Sequence, residues 1–190
     1  MQNQLKFLQS FYPYNKTMSS FVIEIALDSY ADIFNEYDHS PYKKKDLDPE
    51  LTNYLNECSE DIPLEYHIIL QFNLPKIQAN NDKEKGVTDG LKAYYEFTTY
   101  NAHNEYKKLL FQSVFNVIIA TVLLSFALLI DIIYGNNFIL SVFKDGITVG
   151  GWVFLWQAIT MLAFERKNIK KRYLREKRFR DAFIRFNKIK

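Results

Sequence analysis

The segment from Ala31 to Asp48 holds the densest set of side chains that could take part in chemistry. It contains five acidic residues, His39, a Ser-Pro step and three consecutive lysines, Lys43, Lys44 and Lys45. Adjacent lysines raise the local positive potential, which suits phosphate groups or acidic lipid head groups. We therefore take the three lysines as candidate ligand-binding residues. The alternative is a solvated charged loop whose acidic and serine side chains form turns and caps.

Metal and catalytic chemistry find little support in the sequence. Asp38, His39 and Asp46 offer oxygen and nitrogen ligands, but their spacing matches no known calcium-binding loop. His39, His67 and His103 lie far apart, and we find no nucleophile elbow, phosphate-binding loop or zinc-ligand spacing. We therefore predict no metal site, no cofactor and no enzyme activity.

The C-terminal segment, residues 165–190, is strongly basic, with twelve Lys or Arg against three acidic residues. Its basic residues alternate with apolar ones, and Phe179, Phe183 and Phe186 share one face if the segment is helical. This pattern favours a basic amphipathic helix on an anionic membrane surface. Binding of nucleotide or nucleic-acid phosphates is the alternative, because basic residues interleaved with aromatic ones suit a strand of bases. The candidate ligand contacts in this segment are Arg172, Arg175 and Arg178.

The elements that would position these residues follow from apolar periodicity. Residues 19–27 and 65–74 alternate between two faces, as half-buried strands do. Between them, Asp48 and Pro49 predict a helix start, because Asp is a good N-cap and Pro fits the first helical position. A helix between two strands predicts a parallel β-α-β unit, and we expect Cys58 to be a buried thiol on that helix.

Two long apolar runs dominate the second half of the chain. After a polar loop at residues 78–86, we predict a helix that continues into the first run, Leu109–Ile130, because no Pro or Gly occurs from Leu91 to Tyr134. That run contains no charged residue, and neither does Gly146–Phe164. A helix of about 20 residues reaches roughly 30 Å, the thickness of a bilayer's hydrocarbon core. The sequence therefore predicts a two-helix transmembrane hairpin with spans at about 109–133 and 139–164.

Each predicted span carries a stripe of polar and small residues, which surfaces facing lipid avoid. The first stripe, our candidate pore lining, consists of Gln112, Asn116, Ala120, Ala127 and Asp131. The second stripe, which we assign to helix packing, consists of Gly146, Gly150, Gln157 and Thr160. The alternative is that both stripes only hold the hairpin together. Two spans cannot enclose a pore, so a water path requires a homo-oligomer.

The distribution of charge sets the expected orientation. Residues 1–108 hold 11 Lys or Arg and 17 acidic residues, whereas the basic excess directly follows the second span. Lys and Arg near a span stay on the cytoplasmic side, so we place both termini in the cytoplasm. We expect no signal peptide, since the first apolar run is short and contains Glu24. The expected organisation is a cytoplasmic sensor or assembly domain at 1–106, a transmembrane hairpin at 107–164 and a basic cytoplasmic tail at 165–190.

Two motifs carry a resemblance, D-x-F-N at Asp32–Asn35 and S-P-x-x-x-x-D-L-D-P at Ser40–Pro49. Together with the two-span hairpin, its GGWVFLWQAI run and the basic tail, they make the chain similar to a widespread bacterial family of two-span membrane proteins. The order of elements also resembles the membrane effector of the Hailong anti-phage defence system. That resemblance implies a partner nucleotidyltransferase whose oligodeoxyadenylate product holds an oligomeric channel inactive.

The fold class predicted from these observations is an α+β membrane protein. A small cytoplasmic β-α-β domain precedes a long helix that continues into the hairpin, and a basic amphipathic helix follows.

The expected function is that of a homo-oligomeric effector in the bacterial inner membrane. Its cytoplasmic domain would sense a nucleotide, an oligonucleotide or a partner and gate an ion leak through the hairpin. The alternative is a non-conducting anchor or scaffold that recruits a cytoplasmic partner.

Overall fold

The computed structural model describes residues 2–41, 44–78, 80–134 and 138–189. They belong to two compact units. One unit, here called the sheet domain, combines Met1–Asn101 with Leu174–Lys190, and the other, the helical hairpin, comprises Ala102–Tyr173. The end of the basic segment therefore folds together with the N-terminal residues instead of forming a tail of its own.

The chain contains five α-helices and four strands in its described part. The helices are α1 (Gln2–Leu8), α2 (Pro49–Asp61), α3 (Asn81–Tyr134), α4 (Phe138–Thr160) and α5 (Arg166–Arg180), with a π-helical turn at Met161–Glu165 joining the last two. The strands are β1 (Tyr14–Asn15), β2 (Ser20–Ala26), β3 (His67–Pro75) and β4 (Phe183–Ile189). The α+β class is thereby confirmed.

The four strands form one sheet in the order β1-β2-β3-β4. β3 is parallel to both β2 and β4, with Ile23 opposite Leu70 and Phe72 opposite Phe186, whereas β1 is antiparallel to β2. The predicted parallel β-α-β unit, β2-α2-β3, is therefore confirmed. β1 and β4 add one strand at each of its edges.

β4 corrects the prediction of a helix throughout the C-terminal segment. Phe179, Phe183 and Phe186 fit a helical face, but α5 ends at Arg180 and the next residues form the strand. Ile184 and Phe186 pair with Leu70 and Phe72 of β3 and pack against the core. Pairing with a distant strand thus outweighs the local helical pattern, as it often does for short apolar segments.

A second correction concerns the polar loop predicted at residues 78–86. α3 already begins at Asn81, because the Asn80 side chain accepts hydrogen bonds from the backbone N–H groups of Asp82 (3.0 Å) and Lys83 (3.1 Å). This is an N-cap, and acidic residues in the first turn add to it. The polar composition therefore belongs to a capped helix start.

The core of the sheet domain lies on one face of the sheet. Phe21, Ile23 and Ile25 of β2 are buried there beside the alternate residues of β3, such as Leu70 and Phe72. α2 contributes Leu55, α3 contributes Leu91 and Tyr95, and α5 contributes Phe179 to the same cluster. The rings of Tyr95 and Phe179 stack with their centroids 4.9 Å apart.

Two stretches of helix are long and apolar enough to cross a membrane, Asn81–Ile133 and Phe138–Arg180. Only 22% and 11% of their most apolar windows are buried. The core helix of a soluble protein would bury most of such a surface. The exposed apolar surface agrees with the predicted spans by length and composition.

Candidate functional site

The segment around the candidate lysines is anchored at both ends by buried residues. Ile33, Phe34 and Leu47 are almost fully buried, and Phe34 and Leu47 form an isolated antiparallel bridge. The helix start predicted at its end is confirmed, because the Asp48 carboxylate accepts from the N–H groups of Glu50 (2.9 Å) and Leu51 (3.0 Å). The segment therefore emerges from the core as a loop with a fixed base.

Asp38 holds two parts of this loop together. Its carboxylate accepts hydrogen bonds from the backbone N–H groups of Asp46 (2.8 Å) and Ser40 (2.9 Å). These donors stabilise the ionised form and lower the pKa of Asp38 to about 2. Asp38 thus acts as a turn former, which is the role that the alternative interpretation gives to the loop acids.

We expect the loop to keep its structure from pH 7 to pH 4 and to lose it as the pH approaches 2. The reason is that the pKa of Asp38 is lowered in the folded chain, so the stabilisation exists above the unfolded pKa and disappears on protonation. Asp38→Asn should therefore speed hydrogen exchange of the Ser40 and Asp46 amides several-fold at pH 7, measured by mass spectrometry. Glu36→Gln, an exposed change two residues earlier, is the control and should leave both amides unaffected.

A cavity of about 300 Å³ lies beside the candidate lysines within the sheet domain. Its lining residues are Lys44, Lys45, Asp46, Ala93, Tyr94 and Phe97. The Phe97 side chain is 64% exposed, so the cavity offers an aromatic surface as well as two lysine residues. Lys43 lies outside the described residues. The arrangement suits an anion that also carries a planar or apolar part, since cations neutralise the charge and aromatic faces stack on rings.

A second cavity, of about 390 Å³, shares Asp46 and Tyr94 with the first. It is otherwise lined by polar and small groups near the start of α2, among them Asn35, Thr52 and Asn53. The two cavities together form an elongated depression between the loop and α3. The sequence pointed to its lysines but not to its aromatic wall, which comes from a helix about 50 residues further along the chain.

Metal ligation has no structural counterpart in the described part of the chain. There, no group of three or more His, Cys, Asp or Glu side chains is placed to hold an ion. The Asp38 carboxylate accepts hydrogen bonds from backbone N–H groups, and His39 is exposed. Cys58 is a free thiol buried on α2.

The three candidate arginines all have protein partners. In the hairpin, Arg172 pairs with Glu105 (3.0 Å), and in the sheet domain Arg175 pairs with Glu60 (2.7 Å). Arg178 is only 8% exposed and belongs to the interior of the sheet domain. These contacts give each arginine a structural role, and ligand binding by the three arginines stays a prediction.

Arg178 closes the C-terminal end of α2. Nη1 donates to the carbonyl oxygens of Ile62 (2.9 Å) and Pro63 (3.0 Å), and Nη2 donates to the carbonyl (2.6 Å) and hydroxyl of Ser59. Helix C-termini leave carbonyls without partners, and a cation there also meets the favourable end of the helix dipole. Burial and the neighbouring Arg175 lower the pKa of Arg178 to about 10, so it stays charged at neutral pH.

The candidate pore residues divide into two groups in the hairpin. Asn116, Ala120 and Ala127 are buried, and the Asn116 amide lies 3.8 Å from the sulfur of Met161. Gln112 and Asp131 are exposed. Ala102, Leu109 and Ser113 are buried on the same helix, and the spacings of three, four and seven residues within this set are those of a coiled-coil seam. The polar stripe of α3 therefore packs against other residues of the hairpin over most of its length.

Gly151 makes the close contact that we expected of Gly146 and Gly150. A Cβ atom on Gly151 would lie 2.8 Å from Cγ of Leu124, whereas nothing lies within 4 Å of Gly146 and only one atom, at 4.0 Å, reaches Gly150. Gly151 and Ala158 are the buried residues of α4, and they are seven positions apart. The packing residues are thus shifted by one position from the predicted stripe, and its other members are exposed (Gln157) or half-buried (Thr160).

Asp131 is neutralised by a lysine of the next helix. Nζ of Lys144 lies 2.9 Å from the Asp131 carboxylate and 3.8 Å from that of Asp145. The cluster borders a cavity of about 420 Å³ in the hairpin. The cluster of two carboxylates and one ammonium group therefore has one excess negative charge per chain.

Comparison with protein-family models, with curated proteins and with solved structures finds no match to this chain. The assignment of a function therefore depends on the geometry of the sheet domain and the hairpin.

Proposed function

We propose that the chain is a two-span protein of the bacterial inner membrane with both termini in the cytoplasm. β3 precedes the two apolar helices in sequence and β4 follows them, yet the two strands are paired in one sheet. A chain that leaves a domain and returns to it must cross the bilayer an even number of times. The sheet therefore supports a hairpin with both flanking segments on one side, and the basic residues favour the cytoplasm.

The sheet domain, in this proposal, binds a phosphate-bearing ligand such as a nucleotide or an oligonucleotide. The observation that carries this proposal is the cavity in which Lys44 and Lys45 face Tyr94 and Phe97. Neither lysine has an ion pair among the described residues, so both ammonium groups are available to a phosphate. The aromatic wall gives a base a surface on which to stack.

Binding would be transmitted through α3. This helix carries Tyr94 and Phe97 as well as the first apolar run. A ligand that moves the helical turns around Tyr94 and Phe97 therefore acts on the same continuous helix as the apolar run. Because the residues between α3 and α4 are packed, an ion path would lie between several copies of the hairpin. Gln112 and Asp131, which face outward, would be nearest to it.

The double variant Lys44→Glu/Lys45→Glu should weaken binding of a fluorescent oligodeoxyadenylate to the purified protein at least about tenfold, or about 1.4 kcal/mol. The expected cause is repulsion between phosphates and the new carboxylates. Fluorescence anisotropy at fixed salt measures the affinity, because phosphate contacts depend strongly on ionic strength. Lys16→Glu/Lys83→Glu, two exposed sites away from the cavity, changes the net charge equally and should bind like the unmodified chain. An equal loss of affinity in the two double variants would contradict the assignment of the ligand site to this cavity.

The membrane part of the proposal is tested separately by mass and conductance. Light scattering in detergent should give a mass that corresponds to several copies of the chain. Planar bilayers that contain the protein should show a conductance that the ligand changes. A monomer without conductance would instead favour a non-conducting anchor that recruits a cytoplasmic partner. Co-purification with a nucleotidyltransferase would support the effector function.

A further inference from the structure

β4 is an open edge of the sheet. The strand order places it at one end, with β3 on one side and no strand on the other in the described part of the chain. Five of its seven residues are exposed, including Phe183 (54%) and Ile189 (46%). At the opposite edge, β1 pairs with two residues of β2, Ser20 and Phe21. β4 is therefore a seven-residue strand that has no strand partner on its outer side in the described part of the chain.

Such an edge is one that soluble monomers normally protect. Natural sheets shorten their edge strands, place charged residues on them, interrupt them with proline or bulges, or cover them, because unpaired edges template the addition of another strand. β4 has no proline, and its exposed residues include two large apolar ones, Phe183 and Ile189, beside two charged ones, Arg185 and Lys188. The pattern is that of a strand that pairs with another chain.

We infer that β4 pairs with β4 of a second copy, antiparallel and about a two-fold axis at Phe186. In this register Phe183 meets Ile189 and Arg185 meets Asn187, while Ile184 meets Lys188 and Phe186 meets its own copy. Each exposed apolar residue then lies opposite an apolar one, and no two charges lie directly opposite each other, an arrangement that stabilises cross-strand pairs. The two sheets become one continuous eight-stranded sheet.

This inference rests on the proposed homo-oligomer and identifies one of its interfaces. An isologous contact of this kind closes on a pair of protomers, so further copies in the oligomer would be joined through a different, heterologous interface. It also holds the two sheet domains in a fixed relation to each other.

Two cysteine variants of the full-length protein test the register. Arg185→Cys and Asn187→Cys, with different affinity tags, are co-expressed, purified in detergent and oxidised. Residues opposite each other in antiparallel strands have Cα atoms about 5 Å apart, which a disulfide can bridge, whereas like positions here are diagonal. We expect the mixed disulfide dimer to exceed either single-variant dimer about fivefold, because position 185 of one copy lies directly opposite position 187 of the other.

Glu96→Cys, exposed on α3 in the same domain, is the control for random collision and should give only background dimer. A mixed dimer that exceeds the single-variant dimers by no more than random pairing of the two variants gives would overturn the register. An oligomer by light scattering without any β4 cross-link would overturn this interface but leave the proposed oligomer standing. A monomer by light scattering would instead remove the oligomer itself.

Discussion

Replacement of Arg178 by Met is expected to lower the free energy of unfolding of the sheet domain by about 3 kcal/mol, since several buried carbonyls lose their donors at once. The guanidinium is 8% exposed and donates to Ser59, Ile62 and Pro63. Met retains much of the aliphatic volume, so the loss reports mainly on hydrogen bonds and not on a cavity. Arg178 also joins α5 to α2, so its loss should loosen β4 as well.

The measurement is a urea titration of the full-length protein in detergent, followed by hydrogen exchange of the α2 and β3 amides. Lys177→Met is the matched control, because it removes a basic residue from the adjacent, exposed position of α5. We expect that control to change stability by less than about 0.5 kcal/mol, as surface substitutions usually do. Equal destabilisation by the two variants would show that general charge, and not the capping of α2, is responsible.

Local signals in the sequence were sufficient to predict the first half of the sheet domain. β2 and β3 show alternating apolar residues over seven and nine positions, and α2 begins with an N-cap followed by proline. Each of these signals depends on residues only a few positions apart. The apolar runs in α3 and α4 are equally local, and their lengths alone indicate possible spans.

Long-range pairing could not be predicted in the same way. The partner of β4 is β3, more than 100 positions earlier, and Phe179, Phe183 and Phe186 satisfy a helical period just as well. Arg178 is similar, because nothing in a run of basic residues distinguishes the one that enters the core. Its partners are backbone carbonyl groups, which every residue has, so the sequence does not identify them.

For the same reason, only part of the candidate site could be predicted from the sequence. Three lysines in a row are conspicuous, whereas Tyr94 and Phe97 belong to an ordinary helical pattern and become significant only beside Lys44 and Lys45. In the spans, a helical wheel identifies a polar stripe but not what that stripe faces. A seven-residue spacing of small residues, Ser113, Ala120 and Ala127, was the available signal for close packing.

Gly151→Leu is expected to destabilise the hairpin by about 1–3 kcal/mol, the usual cost of overpacking a close contact. Even the first added carbon would lie within 2.9 Å of two Leu124 atoms and 3.5 Å from the carbonyl oxygen of Ala120. Cγ of Leu124 is not the tip of a flexible side chain, so the Leu124 side chain or the two helices must shift. Thermal unfolding in detergent, followed by the fluorescence of Trp152 and Trp156 on α4, measures the change where it occurs.

Gly146→Leu is the control that separates the effect of close packing from the effect of replacing glycine by leucine in α4. It makes the same change on the same helix, but a Cβ there meets nothing within 4 Å. Leucine also has the higher helix propensity, so this variant should be neutral or slightly stabilised. If only Gly151→Leu is destabilised, the interior of the hairpin is a packed seam, and any ion path must run between copies. If the two variants unfold alike, the seam is not tight, and Asn116 again becomes a candidate for lining a path within the hairpin.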